Sequence, residues 1–383
     1  MRSVIVPRAL SLAAASTTLK HAVVFLDHSA QSRVSPRYGG ERLFARFEDL
    51  PPELLSDALR RCQEVMSPHR SFTIACAGEL LRDHSDDAVV VPTSQDESDR
   101  VILHAIERQA GDYVPNNLIY HRIRTSFAPR RRNMPHTTSS NGVGVGEDES
   151  QCHWEWFSDV RHDRSMTMAP TTTTSSSDSG EGNNNNSSQL DDANVVTMPK
   201  VPLHLDSQEK RQELEAINQS LIVSFPLPQS LTDLFHFYPF TNKAACVVYA
   251  TRYFIVLENL KPVVRGHLLV VPRRIINSIH DFTEDEVKAW GNTVRVTVDV
   301  LSEMHPRALS DGFSIAIQSG RDAGQTVWHQ HTHVIPYDSR LAGEPEEGDE
   351  EEQARRQPRT EADMIKSAEV TRTYFYSKPP SGL

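Results

Sequence analysis

The sequence predicts an α+β fold in the C-terminal half of the chain and a small mixed α/β unit in the N-terminal part, with a disordered linker between them. Three observations predict this arrangement: β-rich runs separated by turn residues after position 230, a capped amphipathic helix that follows them, and a polar tract between positions 130 and 200. A chain of 383 residues can hold two domains, since one domain takes about 100–200 residues.

The N-terminal part divides into a terminal segment, residues 1–20, and an uncharacterised α/β region, residues 21–129. No acidic side chain occurs in residues 1–26, which is typical of a transit peptide and equally of a frayed terminus, so we assign segment 1–20 to targeting or disorder. In the α/β region, apolar runs predict strands at 21–26, 71–77 and 88–92, and helical spacing of apolar residues predicts helices at 51–66 and 97–109.

Residues 130–200 form the predicted linker. Tracts such as TTTTSSSDSGEGNNNNSS lack the apolar side chains whose burial offsets the loss of chain entropy on folding. We therefore expect this segment to be disordered.

The C-terminal half, residues 230–383, carries the stronger signals. Thr283 to Glu286 forms a capping box, and apolar residues then recur at helical spacing, so a long helix is expected. A second capping residue, Thr360, begins the predicted last helix. Around these helices, β-rich runs predict strands at 246–249, 253–259, 267–272, 313–318 and 326–336.

The charge and the cysteines exclude several classes of protein. With 40 Lys and Arg against 51 Asp and Glu, the net charge of −11 argues against general nucleic-acid binding, which draws on a basic surface. No apolar run reaches the roughly 18 residues that span a bilayer. Because the cysteines form no C-x-x-C pair, neither a disulfide framework nor a cysteine zinc site is expected. We expect a reducing compartment, the cytoplasm, with the nucleus and the mitochondrion as alternatives.

Three histidines alternate in the predicted strand 326–336, and these are His329, His331 and His333. Side chains two residues apart in a strand share a face, about 6–7 Å from each other. Two chemistries fit such a row: metal ligation, and nucleophilic attack on phosphorus by a neutral imidazole. The nearby amides of Gln318 and Gln325, with glycines in the turn 319–327, suit a phosphate better than a metal, so phosphoryl or nucleotidyl transfer is favoured and no metal site is predicted.

The run AGQTVWHQHTHVIP closely resembles the signature of the histidine-triad superfamily. LENLKPVVRGHLLVVP and RTEADMIKSAEVTRTYF are similar to segments of its fragile-histidine-triad branch, the bis(5'-adenosyl)-triphosphatase-like hydrolases. The resemblance implies a histidine-triad fold in residues 230–383, with an antiparallel sheet, a long helix, a C-terminal helix and an acidic loop at 341–358. It also implies a homodimer.

The resemblance assigns roles to residues at matching positions. His331 would attack the α-phosphorus, His333 would donate a proton to a phosphate oxygen, and His329 would orient the row. His267 matches a further active-site histidine of the family. The positions matched to substrate binding are Gly324, Gln325, Thr326, Val327, Gln318 and His333 for the phosphates, Asn259 for the ribose, and Phe237, Leu257 and Leu269 for adenine.

The implied substrate is a dinucleoside polyphosphate, cleaved to AMP and a second nucleotide. No tightly bound cofactor is expected, although Mg²⁺ or Mn²⁺ would neutralise the phosphates. A nucleoside phosphoramidase and a nucleotide-sensing adaptor with slow turnover are the alternatives. One departure from the family is the polar pair Gln330 and Thr332 between the histidines, which predicts either a less buried rear face or a polar partner there.

Overall fold

The computed structural model describes residues 1–6, 11–13, 18–26, 47–77, 100–114, 116, 118–127, 208–224, 230–306, 308, 312–336 and 357–376. The predicted linker 130–200, the predicted strand 88–92 and nearly all of the acidic loop 341–358 lie outside these residues. In the described part of the chain, no helix is long and apolar enough to cross a membrane.

Nine of the described strands join into one antiparallel sheet that runs through both halves of the chain. In sheet order, the strands are β1, β2, β4, β3, β10, β11, β9, β8 and β7. A separate hairpin consists of β5 and β6. The bounds are β1 Arg2–Ile5, β2 His21–Leu26, β3 Ser71–Ala77, β4 Arg100–Arg108, β5 Leu234–Phe237, β6 Phe240–Lys243, β7 Val247–Ala250, β8 Phe254–Glu258, β9 Leu268–Pro272, β10 Phe313–Ser319 and β11 Thr332–Pro336.

Five α-helices accompany these strands in the described residues: α1 Pro52–Val65, α2 Leu118–Phe127, α3 Gln208–Ser224, α4 Glu284–Met304 and α5 Glu361–Tyr376. Helix α4 begins at the predicted capping box, where the Thr283 side chain accepts from the Glu286 amide and the Glu286 side chain accepts from the Thr283 amide. Its apolar side packs on one face of the sheet through Trp290 and Val294 in the main core. The predicted α+β class is confirmed.

Helix α1 approaches α4 closely at Gly291 on that same face. A β-carbon at position 291 would collide with the Pro52 carbonyl and the Ser56 side chain, so only glycine allows this approach. The Ser56 hydroxyl also donates to the Val287 carbonyl at 3.1 Å. The predicted helix at 51–66 is therefore confirmed, and its packing fixes the N-terminal region against the predicted C-terminal domain.

Two predictions from local pattern are wrong. Residues 97–109 do not form a helix, because Arg100–Arg108 is strand β4, which pairs with β2 and β3 and has both faces buried, with Leu103 and Ala105 in the main core and Ile106 in a second apolar cluster. The strand predicted at 326–336 is shorter and begins only at Thr332. Pattern reasoning also missed β1, the β5–β6 hairpin, α2 and α3.

Candidate active site

The histidines lie where strands β9, β11 and β10 adjoin, beside the loop that joins β10 to β11. His333 in β11 stands opposite Leu269 of β9 and Ala316 of β10, so its ring shares one face with those residues. His267 immediately precedes β9. The ring centroids of His331 and His333 are 5.0 Å apart, and those of His267 and His333 are 5.2 Å apart. The structure thus places His267 and His331 beside His333, as the sequence predicts.

The tautomer of His331 follows from one backbone contact. Its Nδ1 lies 2.8 Å from the carbonyl oxygen of His329, and a carbonyl can only accept, so Nδ1 carries the proton. The lone pair of the neutral ring is then on Nε2. Burial lowers the pKa of His331 below its ordinary value, more than its contact with the His329 carbonyl raises it. His331 is therefore neutral at pH 7, with Nε2 as its nucleophilic atom.

His329 holds that carbonyl in place. The amide of Tyr238 donates to its Nδ1 at 3.2 Å, so Nε2 carries the proton and donates to the Arg274 carbonyl at 2.8 Å. Burial lowers the pKa of His329 to about 3. With both ring nitrogens bonded to backbone groups, the side chain positions its neighbour, in line with the predicted orienting role.

His267 sets the tautomer of His333. The Val263 amide donates to Nδ1 of His267 at 3.2 Å, so the His267 proton is on Nε2 and is donated to Nδ1 of His333 at 2.9 Å. The proton of neutral His333 is consequently on Nε2. Burial lowers the pKa of His333 well below its ordinary value, with smaller contributions from His331 and His267. The site therefore presents one lone pair, on His331, and one N–H donor, on His333.

Asn259 lies beside this pair. Its Oδ1 accepts from the Lys261 amide at 2.8 Å, which leaves its amide nitrogen 3.2 Å from Nε2 of His267. Arg359, just before α5, donates to the Asn259 carbonyl and to the Glu258 carboxylate at 2.6 Å. The C-terminal helix thereby anchors the strand end that carries Asn259.

The predicted phosphate-binding residues are only partly placed as expected. Gly324, with φ +87°, and the exposed Thr326 lie on the loop between β10 and β11, and Val327 on the same loop is buried. The side chain of Gln325 is committed to the backbone: it accepts from Gly320 at 2.7 Å and donates to Trp328 at 2.9 Å. This amide therefore fixes the conformation of the loop, and its contact with phosphate stays a prediction.

An apolar cluster adjoins the histidines on the side of the β5–β6 hairpin. The rings of Phe237 and His331 are perpendicular, with 5.4 Å between their centroids, and Phe237 also contacts His329. Leu257 and Leu269 belong to the same cluster, as does Phe235. The three predicted adenine-pocket residues thus lie together beside His331.

Two features of the site were missed in the sequence. The indole N–H of Trp290 donates to Thr332 at 2.9 Å from helix α4, so the rear face of the histidine strand has a buried polar partner, as one of the two expectations allowed. Asn116, from the N-terminal region, lies against Gly324, and its Oδ1 accepts from the buried Arg108. No local motif marks Asn116, since its position depends on strand pairing between distant segments.

The fold and the three neutral histidines define a histidine-triad protein. Residues 241–340 match the model of the HIT domain. The bis(5'-adenosyl)-triphosphatase of Dictyostelium discoideum is 34% identical over 144 residues, which are 37% of this chain and 92% of that protein. The asymmetrical bis(5'-nucleosyl)-tetraphosphatase of Schizosaccharomyces pombe is 39% identical over 90 residues, 24% of this chain and 48% of that protein.

A solved structure with similarity to this chain is the C. elegans NitFhit protein, with 28% identity and a TM-score of 0.32, over 43% of this chain and 36% of that one. The matches to the HIT domain and to the Dictyostelium protein decide the family. The chain belongs to the HIT family, in its fragile-histidine-triad branch.

Proposed function

We propose that this protein hydrolyses dinucleoside polyphosphates, with diadenosine triphosphate as the type of substrate, to AMP and a second nucleotide. The observation that carries the proposal is the fixed tautomer of His331, whose Nδ1–H is held by a backbone carbonyl while its Nε2 keeps the lone pair. The similarity to a bis(5'-adenosyl)-triphosphatase over 92% of that protein supports the choice of substrate.

The reaction has two steps. Nε2 of His331 attacks the α-phosphorus, a P–N bond forms, and the P–O bond to the rest of the phosphate chain breaks, so that ADP leaves when the substrate is diadenosine triphosphate. Water then attacks the same phosphorus, which releases AMP and returns the electron pair to the imidazole. Two lower barriers replace one high barrier.

The other residues bind and orient the substrate. The Nε2–H of His333 donates to an oxygen of the α-phosphate, where negative charge increases in the transition state. Phe237, Leu257 and Leu269 hold an adenine by apolar contact, and Asn259 lies where the ribose hydroxyls would be bound. We include Mg²⁺ or Mn²⁺ in the proposal as ions that arrive with the phosphates and reduce their charge.

The test is a product analysis of the purified full chain given diadenosine triphosphate, diadenosine tetraphosphate and adenosine phosphoramidate side by side. Hydrolysis of a dinucleotide to AMP and its partner nucleotide is expected, with an adenylate trapped on His331 after alkaline quenching. H331N should lower kcat by several orders of magnitude, because the covalent route is lost while the binding groups remain. The exposed His69 provides the matched control H69N, which should behave as wild type.

Three outcomes would contradict the proposal. Preferred cleavage of the phosphoramidate would make the protein a phosphoramidase. A substrate complex that persists, with negligible turnover, would favour a nucleotide-sensing adaptor. Undiminished cleavage by H331N, without an adduct on the wild-type chain, would exclude the covalent route.

A further inference from the structure

The N-terminal half of the sheet repeats the architecture of the C-terminal half. We name β1 to β4 with α1 and α2 the N-terminal lobe, and β8 to β11 with α4 the C-terminal lobe. Each lobe runs strand, strand, helix, strand, strand along the chain. The sheet order β1, β2, β4, β3 continues as β10, β11, β9, β8, which is the same order reversed. The two lobes are therefore related by a pseudo-two-fold axis between β3 and β10.

Helices α1 and α4 are related by the same pseudo-two-fold axis. Within each lobe, the helix connects the second strand to the third, and both helices pack in the same core on one face of the sheet. Helices α1 and α4 contact each other across the axis, at Ser56 and Val287 and at the close approach allowed by Gly291. Each lobe contributes one edge strand, β3 or β10, and one helix, α1 or α4, to the contact between the lobes. Symmetric dimers join their subunits through interfaces of this kind.

The strand registers place two histidines of each lobe in equivalent positions. Ala75 of β3 pairs with Ala316 of β10 across the axis. On its other side Ala75 is opposite His104, as Ala316 is opposite His333. His104 therefore occupies, in the N-terminal lobe, the position of His333.

The partner of each histidine is equivalent as well. His104 stands opposite the residue two positions after His21, and His333 stands opposite the residue two positions after His267. Nε2 of His21 lies 3.3 Å from Nδ1 of His104, and Nε2 of His267 lies 2.9 Å from Nδ1 of His333. In both lobes, Nε2 of the first histidine therefore lies beside Nδ1 of the second. Neither pair could be predicted from local sequence, because its members are far apart along the chain.

The N-terminal lobe lacks the nucleophile. Two residues before His104 the sequence has Ile102, where the C-terminal lobe has His331. The corresponding face of the N-terminal lobe is covered, since Ile119 and Ile123 of α2 pack on Ala75 and the Leu12 amide donates to Nδ1 of His21 at 3.1 Å. This lobe therefore keeps a buried histidine pair without a catalytic site.

We propose that the N-terminal lobe is a degenerate second histidine-triad lobe that takes the place of a partner subunit within one chain, and that it completes the active site with Asn116. Strand β10 is already paired with β3 of the same chain, so the homodimer implied by the family resemblance has no free edge there. The part that concerns Asn116 rests on the proposed function, whereas the part that concerns the lobe does not.

The role of Asn116 follows from the group that holds it. Arg108 is buried, paired with Asp112 at 2.8 Å, and donates to Thr73 at 2.9 Å and to Oδ1 of Asn116. Because a guanidinium only donates, Oδ1 must face Arg108, and the Nδ2 amide group turns toward Gly324.

Asn116 and Gln318 bracket that glycine. A β-carbon at position 324 would lie 3.1 Å from Nε2 of Gln318 and closer still to Nδ2 of Asn116. The Nδ2 group of Asn116 bonds to no other residue in the described part of the chain. Two amide groups therefore converge on Gly324, where no side chain intervenes, and a pair of N–H donors fits a phosphate of the substrate chain.

Disulfide trapping in the full chain tests the lobe arrangement. Residues directly opposite in an antiparallel pair are close enough for a disulfide, so A75C/A316C treated with copper phenanthroline should form a cross-link within one chain. A316C alone should give no linked dimer. The matched control is I74C/A105C, a pair inside the N-terminal lobe that should cross-link in any assembly.

A linked dimer from A316C alone would show that two β10 strands pair between chains and would overturn the proposal. Two results with A75C/A316C would also overturn the proposal. One is a cross-link that joins two chains, and the other is that its thiols stay reduced while those of I74C/A105C are oxidised. None of these results depends on catalytic activity, so the trapping experiment decides the lobe arrangement even if the proposed function fails.

Steady-state kinetics test Asn116. Loss of a hydrogen bond to a charged group should lower kcat/KM for diadenosine triphosphate about tenfold to a hundredfold in N116A. N116D should lose more, because a carboxylate repels phosphate, and added Mg²⁺ should restore part of that loss. The control is N292A, at an exposed position of α4. Wild-type kcat/KM in both Asn116 variants would overturn this part, whereas inactivity of the wild-type chain would count against the proposed function alone.

Discussion

The chemistry of the site depends on where single protons are held. His331 and His333 each have one ring nitrogen bonded to a backbone or imidazole partner, which leaves the other nitrogen with a defined role, whereas both ring nitrogens of His329 bond to backbone groups. Burial then keeps the rings neutral by lowering their pKa values. The site thus presents an imidazole lone pair and an N–H donor at the same pH without using a charged group.

The pH profile should report this neutrality. Since attack requires unprotonated His331 and burial lowers its pKa, kcat/KM should stay constant as the pH falls through about 6.5, the ordinary value for histidine, and should decline only at lower pH. The measurement is kcat/KM for diadenosine triphosphate from neutral to acid pH, with enzyme stability checked at each point. An acid limb centred at or above 6.5 would contradict the role of burial.

At the scale of single residues, the sequence predicts the row of histidines but not the bonds of every side chain near it. The alternation of His329, His331 and His333 sufficed to predict one site with phosphoryl chemistry. The bonds of the Gln325 amide to backbone groups of Gly320 and Trp328 were not predictable, because the positions of those groups depend on the conformation of the loop. A side chain that could bind phosphate is recognisable from sequence, but its competing partners are not.

Helices and strands were predictable where the residues that define them are close together in the sequence. The capping box at Thr283 and the meander of β7, β8 and β9 have nearby sequence signals, and both are confirmed. Strand β4 was predicted as a helix because its apolar residues fall on both faces, and those faces are buried by distant segments, Leu103 and Ala105 in the main core and Ile106 in the cluster with α2. Pairing partners in a sheet are set by tertiary structure.

The contact between α4 and β11 gives a prediction at the scale of elements. T332V would leave the buried indole N–H of Trp290 without its acceptor, which should lower the free energy of unfolding by about 1–3 kcal/mol. T332S keeps a hydroxyl and should lose less. Urea unfolding measures both. Because Thr332 faces away from the row of imidazoles, kcat should change little. A T332V chain as stable as wild type would contradict the structural role of this bond.

Nine strands of the described part of the chain form one continuous sheet, which the composition did not indicate. The sequence suggested a separate N-terminal unit because a polar linker follows it, yet β3 adds directly to β10 and the two halves share a core. The equivalence of His21 and His104 with His267 and His333 also emerges only from strand register, since the two halves show no repeat of fixed period. Stability of the two lobes should consequently be coupled.

That coupling leads to a prediction for acid stability. The pKa values of His21, His236, His329, His331 and His333 all lie below the ordinary 6.5, chiefly because of burial, and that of His329 falls to about 3. The unfolded chain therefore binds more protons than the folded chain once the pH falls below about 6.5, and the folded state loses stability from there toward the folded pKa values. Each such group contributes up to about 1.4 kcal/mol per pH unit in that window.

Urea unfolding between about pH 7 and pH 5.5, above the titration of most carboxylates, isolates this effect. The free energy of unfolding should decrease through the window, in one cooperative transition for both lobes. H21N removes one of these five histidines and should lower the slope of the unfolding free energy against pH by up to about 1.4 kcal/mol per pH unit, although His21 lies in the N-terminal lobe. H69N, which changes an exposed histidine, should leave the slope unchanged. A free energy of unfolding that stays constant from pH 7 to pH 5.5 would contradict the neutral, buried state of these histidines.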